Sequence, residues 1–431
     1  MGDFVLKGHI CYSKGKNELI TRENAYVVCI DGKSKGVFSE LPQQYAALPL
    51  KDYGDCLIVP GMIDLHIHAP QYAFRGMCMD LELMDWLNRY TFPEEAKYME
   101  LEYAERAYAI FVNALKASAT TRAVVFATRH RPATELLMKL MEESGIASYV
   151  GKVNMDREAA EVLVEESAAV SASETVQWIE AVKEKYTNTK PILTPRFIPC
   201  CSDTLMEHLR QIQMAYGLPV QSHLSESPGE IDFVHFLRPD NAFYGEAYND
   251  YDLFGKNEDN QTDVKTVMAH CVWSTDEEID LMRKNGVFVA HCPASNMNLS
   301  SGIAPIRKYL DLGMNIGLGT DVAGGHSDSI FRAITDAIQV SKMYWRYVDQ
   351  TMKPITFPEA FYMATLGGGA FFGAVGSFAE GYAFDAVVLD DTALVHPQEL
   401  SVSERLERAV YLGLDTHGIR AKYVNGEKII F

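Results

Sequence analysis

Pro60-Gly61-Met62-Ile63-Asp64-Leu65-His66-Ile67-His68 is a short apolar run that ends in His-x-His. Side chains at i and i+2 of a strand face the same way. A buried strand ending here presents two imidazoles on one face, where they can hold one metal ion. Three further apolar runs end alike, in Val220-Gln221-Ser222-His223, Val267-Met268-Ala269-His270 and Gly317-Leu318-Gly319-Thr320-Asp321. Imidazole suits zinc or ferrous iron, and one carboxylate completes a divalent site. His66, His68, His223 and Asp321 are therefore candidate ligands, and the spacing leaves His270 as a fifth.

Working outward, apolar runs at 57–65, 122–127, 146–153, 191–195, 219–222, 265–269, 287–290 and 315–319 read as strands. Helical stretches alternate with them, among them 101–117, 133–143, 174–187, 203–215, 276–284 and 304–311. Strictly alternating strands and helices predict an α/β fold, a (β/α)8 TIM-like barrel with insertions. Every candidate ligand then falls at the C-terminal end of a strand, the rim where such barrels carry their chemistry. A doubly wound open sheet is the alternative, and no Gly-x-Gly-x-x-Gly supports it. Both chain ends are β-rich. Phe4–Ile10 and Asn24–Ile30 are strand-like, with Asp31-Gly32 as a turn, and Asp385–Leu389 and Ala421–Ile430 follow suit with Asn425-Gly426. The reading is a small β-sandwich domain built from both termini, residues 1–58 and 371–431, around a barrel at 59–370. The polar, Tyr-rich stretch 239–263 reads as a long loop before the sixth strand.

The chain has 431 residues, 48% of them hydrophobic, enough for a large core. Its 39 Lys and Arg against 58 Asp and Glu leave a net charge of −19. An acidic surface repels phosphate backbones, so a nucleic-acid partner is not expected, whereas a neutral small molecule is. The eight Cys show no framework spacing and read as reduced thiols of a cytoplasmic protein. Met1-Gly2-Asp3-Phe4 opens no signal peptide, and no run reaches the roughly 18 apolar residues of a membrane span. No membrane association is expected.

Glu226 stands three residues after His223. A carboxyl just past the strand end lies beside the metal without being a ligand, and can carry a proton between an activated water and a leaving group.

These residues resemble the amidohydrolase superfamily, in its mononuclear deaminase branch, over essentially the whole chain. Asp64-Leu65-His66-Ile67-His68-Ala69-Pro70-Gln71-Tyr72 is similar to the first metal motif of that branch. Ser222-His223-Leu224-Ser225-Glu226 resembles its third-ligand and proton-shuttle motif. His291-Cys292-Pro293-Ala294-Ser295-Asn296 and Gly319-Thr320-Asp321 resemble motifs on strands seven and eight. His-Ala-Pro-Gln-Tyr together with Pro195-Arg196-Phe197 narrows the likeness to members acting on guanine.

The resemblance implies one divalent ion per chain, zinc by default with ferrous iron as the alternative, on His66, His68, His223 and Asp321. It places His270 just outside the ligand set, in contact with the attacking oxygen or the substrate. The implied reaction is hydrolytic deamination of guanine to xanthine and ammonia, with Glu226, His270 and Asp321 catalytic and with Gln71, Arg196, Phe197 and His270 binding substrate. It also implies a homodimer working in purine catabolism or salvage. Strand four ends without the bridging Lys of binuclear relatives, and the His-x-Glu with Pro-Cys-x-x-Cys of nucleoside-type zinc deaminases is absent. Another heterocycle, a pterin, triazine or cytosine, would share every metal residue, and a non-catalytic relative is the reading from a different class.

Overall fold

The computed structural model describes residues 2–258 and 260–431; Met1 and Asp259 lie outside the described residues. The decisive run divides at Gly61. Leu50–Pro60 belongs to one sheet and Met62–His68 to another. Gly61 N–H donates to Asp385 O at 3.1 Å, and Met62 N–H donates to Ala119 O at 3.0 Å. A Cβ on Gly61 would lie 2.0 Å from the Thr121 hydroxyl oxygen, so the crossing point needs glycine. The single strand expected over 57–65 is thus two strands in different sheets. Apolarity alone hides the break, because both halves are buried.

Eight parallel strands carry the middle of the chain. They are β1 (Met62–His68), β2 (Thr120–Phe126), β3 (Ala147–Gly151), β4 (Thr189–Pro191), β5 (Val220–Leu224), β6 (Thr266–His270), β7 (Phe288–His291) and β8 (Asn315–Leu318). Strands β1 to β4 pair in order as one parallel sheet, and β5 to β8 as a second. A bridge from Leu193 to Val220 links the chain after β4 to β5. On the other side, just past β8, Asp321 N–H donates to His66 O at 2.8 Å and Val322 O accepts from His68 N–H at 3.1 Å. The ladder is interrupted at these two places, so the strands form two four-stranded halves rather than one continuous eight-stranded ladder.

Helices alternate with the strands, each burying one stripe. Leu101–Ala117 buries Ala104, Tyr108, Phe111, Val112 and Leu115, a three-to-four-residue spacing that covers one face. Arg131–Ser144, Asp203–Tyr216 and Asp276–Asn285 each stop at a glycine in the left-handed conformation, Gly145, Gly217 and Gly286. Ala168–Val182 starts six residues before the predicted 174–187, capped by the Ser167 hydroxyl. The stretch 239–263 is mostly irregular, with a short helix at Glu246–Asn249 and a two-residue ladder.

The terminal strands share one seven-stranded sheet. Its order is Glu427–Ile429, Ile419–Val424, Ala386–Leu389, Leu50–Pro60, Phe4–Gly15, Glu18–Ile30 and Lys33–Phe38. Both predicted turns are present, with Asp31-Gly32 and Asn425-Gly426 all at positive φ, as a two-residue type I′ hairpin requires. A second sheet facing this one, as a sandwich needs, is not found among the described residues. All eight cysteines are free.

Candidate metal centre

The C-terminal ends of β1, β5, β6 and β8 meet at one buried point. His66 Nε2 and His68 Nε2 stand 3.2 Å apart, and His223 Nε2 lies 3.3 Å from that of His68. Asp321 Oδ1 is 3.1 Å from His66 Nε2 and 3.3 Å from His68 Nε2. Four ligands at the usual 2.0–2.1 Å around a tetrahedral ion stand about 3.3 Å from one another. The donor spacing therefore fits a divalent cation, and so does the chemistry. His223 Nδ1 donates to Arg196 O at 2.7 Å, which leaves Nε2 with a free lone pair. Burial lowers the His66 imidazole to about 4 and His223 well below its ordinary value, so both are neutral. Burial acts to raise the Asp321 carboxyl, but the imidazoles of His66, His68 and His270 outweigh it and hold the group well below the carboxylate range. Neutral imidazoles and an ionised carboxylate are the forms that bind metal.

The backbone is shaped for this convergence. Asp64 Oδ1 accepts the His66 and Thr320 amide protons, each at 3.1 Å, and Asp64 Oδ2 accepts the Thr320 hydroxyl at 2.6 Å. One buried carboxyl thereby ties β1 to the end of β8. His270 and Asp321 both sit at positive φ, 73° and 46°, a conformation that costs a non-glycine residue on the order of 1–3 kcal/mol and that clusters at functional sites.

His270 differs from the other imidazoles. Its Nδ1 bonds Asn296 Oδ1 at 2.9 Å, while Nε2 lies 3.5 Å from Glu226 Oε2 and 3.7 Å from Asp321 Oδ2. Burial pulls its basicity down, but the Glu226 and Asp321 carboxylates outweigh burial and raise it. It stands between two carboxyl groups, with Asn296 fixing its other nitrogen. Glu226 is buried, its Oε1 accepts the Ser301 hydroxyl at 2.9 Å, and burial raises its carboxyl above the ordinary range. The Glu226 amide donates to Glu230 Oε2 at 3.0 Å, and Glu230, whose other oxygen accepts from the Tyr244 hydroxyl, is pushed by burial to about 7.

A cavity opens over this point, lined by His68, His223, Glu226, His270 and Asp321 and by Gln71, Arg196 and Phe197. Every site residue expected from the sequence lies at the metal cluster or on this wall, and Leu83, Trp86, Leu87 and Leu299 supply apolar surface between. Arg196 is buried and pairs with Glu95 at 2.6 Å, its guanidinium stacked over the Phe92 ring. Glu95 also accepts from Gln71 Nε2 at 3.0 Å. The sequence reading missed Glu95, Asn296, Ser301 and Glu230 as working parts. Asn296 lay inside a quoted motif, whereas Glu95 carries no spacing signal, and only its place beside another Glu after Phe92-Pro93 marks a helix start. His291, in the same motif as Asn296, is buried with both ring nitrogens unpaired and does not line the cavity.

Comparisons with known proteins agree with this geometry. The profile of the Amidohydrolase family matches residues 57–426. The guanine deaminase of Dictyostelium discoideum is 37% identical over 388 residues, 88% of this chain and 84% of that protein. That of Rattus norvegicus is 38% identical over 386 residues, 86% of this chain and 82% of its own. The crystal structure of guanine deaminase from C. acetobutylicum, with guanine bound in its active site, superposes with a TM-score of 0.95 at 45% identity, covering 99% of this chain and 100% of that one.

Proposed function

The chain belongs to the amidohydrolase family, and from that premise we propose that it catalyses the hydrolytic deamination of guanine to xanthine and ammonia. Its fold is the TIM-barrel-type α/β fold of that family. The observation that carries the reading is the meeting of two constellations in one cavity. One is a four-donor cluster whose neighbouring donor atoms stand 3.1 to 3.3 Å apart. The other is the Gln71 and Arg196 pair, polar groups suited to the N1/O6 edge of a purine.

In this proposal His66, His68, His223 and Asp321 hold one divalent ion, zinc by donor type with ferrous iron as the alternative. Such an ion supplies Lewis acidity and brings the pKa of a water to about 7. The protein's own groups do the rest. Gln71 and Arg196 grip the N1/O6 edge, and Phe197 lies along the ring. That pose turns C2 toward the cluster. A C2–O bond forms from the attacking water, whose proton passes to Glu226. Glu226 delivers it to N3, and a second transfer through the same carboxyl protonates the exocyclic amine. The C2–N bond then breaks and ammonia leaves. One carboxyl can act as base and then acid when its pKa lies near the working pH, and the burial of Glu226 raises it in that direction. His270 donates toward the developing charge from a position held by Asn296.

The division into a barrel at 59–370 and a terminal β domain at 1–58 and 371–431 belongs to the same proposal, supported by the sheet that strands from both ends share. So do a homodimer and a cytoplasmic site of action. Among the described residues no helix is long and apolar enough to cross a membrane. The test is ammonia release from guanine, adenine, cytosine and a pterin, before and after chelation. Guanine turnover that a chelator abolishes and zinc or iron restores is expected. Guanine left intact by the metal-loaded protein would overturn the assignment.

A further inference from the structure

Glu95 is a buried carboxylate that does not line the cavity, yet it holds both side chains assigned to the purine edge. Its Oε1 accepts from Gln71 Nε2 at 3.0 Å, and its Oε2 accepts from Arg196 Nη1 at 2.6 Å. The Gln71 carbonyl in turn accepts the Ala323 amide proton at 3.2 Å. A free glutamine amide can turn over and exchange donor for acceptor. Here the flipped amide would set its oxygen against a carboxylate and its NH2 against an N–H. Both contacts are repulsive, so Gln71 has one orientation. The second N–H and remaining lone pair of this cavity-lining side chain are then held in fixed places, beside an Arg that can only donate.

We propose that Glu95 is the specificity-determining positioning residue of this site: by locking Gln71 and Arg196 it sets a donor pattern that takes a 6-oxo, N1–H purine and rejects one lacking that edge. The proposal rests on the guanine reading above. It needs no contact between Glu95 and the substrate. Its consequence is a preference carried by two side chains and controlled by a third.

The test compares guanine with 2-aminopurine, which keeps the C2 amine and lacks O6 and the N1 proton. Charge-assisted hydrogen bonds of this kind are worth roughly 10- to 100-fold, so Glu95→Gln is expected to reduce the guanine-to-2-aminopurine ratio of kcat/KM by that factor, mainly through KM for guanine. Metal content and 2-aminopurine turnover should stay within about threefold of the parent, since neither needs the locked edge. In a Gln71→Ala background the same substitution should cost less, because part of its action runs through Gln71. Glu95→Asp keeps the charge that balances Arg196 and carries the comparison should Glu95→Gln not fold; its ratio should lie between those of the parent and the Gln variant. Equal losses on both substrates, an undiminished ratio in Glu95→Asp, or full additivity with Gln71→Ala would overturn the proposal. A parent enzyme that leaves guanine intact would instead sink the guanine reading, a separate result seen before any variant is made.

Discussion

Two groups of buried ionisable side chains lie at opposite ends of the same parallel strands. At the N-terminal end, Arg122 of β2 makes two bonds to Asp385, at 2.6 and 3.2 Å, and a third to Asn425. Lys422 donates to the carbonyls of Leu115, Ser118 and Thr120 at 2.8 to 3.1 Å. All three ammonium protons are used, and Asp385 also accepts the Asn425 amide proton. At the C-terminal end, the ring nitrogens of His66, His68 and His223 face one another with lone pairs toward a common point. Both ends bury ionisable groups, but they arrange them differently. Where buried charged groups meet partners of their own, they fasten the terminal sheet to the barrel-type core. Where ring nitrogens and a carboxylate converge on one point, the fold has built a site. Convergence of metal-ligating atoms separates chemistry from carpentry better than burial or charge does.

Loss of a converging donor should break the comparison most sharply. His223→Ala is expected to lose both metal and turnover, by more than the roughly 10- to 100-fold that removal of an outer-sphere partner costs. The metal-free variant should be somewhat less heat-stable than the metal-free parent, because the bond to Arg196 O is lost and a cavity is left. Metal analysis and calorimetry check both halves. Glu226→Gln separates holding from reacting. It should keep the metal and lose turnover by about 10²- to 10⁴-fold. Full activity in that variant would remove Glu226 from proton transfer.

The same contrast explains what the sequence disclosed. His66, His68, His223 and Asp321 were legible because each closes an apolar run, and a polar residue at a buried strand end has few reasons to be there. Gln71 and Arg196 were legible only through a resemblance, since neither has a spacing of its own. Glu95 was silent. It acts through two residues, 24 and 101 positions away, that only the fold brings near. The break at Gly61 was hidden because the chain stays apolar as it passes between sheets. The helix Ile330–Tyr347 was left unread although Ile330, Ala333, Ile334, Ala337 and Ile338 mark its buried face. The junction at Arg122 and Asp385 spans 263 positions, which no local pattern reports.

At the fastening end the prediction reverses. Asp385→Ala leaves Arg122 buried with one partner, and removal of half of a buried ion pair costs about 3–5 kcal/mol. Denaturant midpoints should fall accordingly, while kcat per folded molecule and metal content hold. A variant that loses kcat without losing stability would mean that the two ends are coupled and that the division above is wrong.

The smallest effect sharpens the comparison by pH. Burial depresses the Lys422 ammonium in the folded chain to about 7, against 10.5 for the exposed group. Between those values the unfolded chain binds the extra proton, so the stability contributed at this position rises with pH and is flat below about 7. The slope is at most about 1.4 kcal/mol per pH unit. Lys422→Met has nothing to titrate. The stability of the parent minus that of the variant, measured by urea melts at pH 7 and 9, should therefore increase toward alkaline pH while contributions from all other groups cancel. A flat difference would show that the three carbonyls of Leu115, Ser118 and Thr120 hold the ammonium charged throughout. In that case the three carbonyls offset the burial of this charge, and Lys422 fastens the two sheets as an ammonium over the whole range.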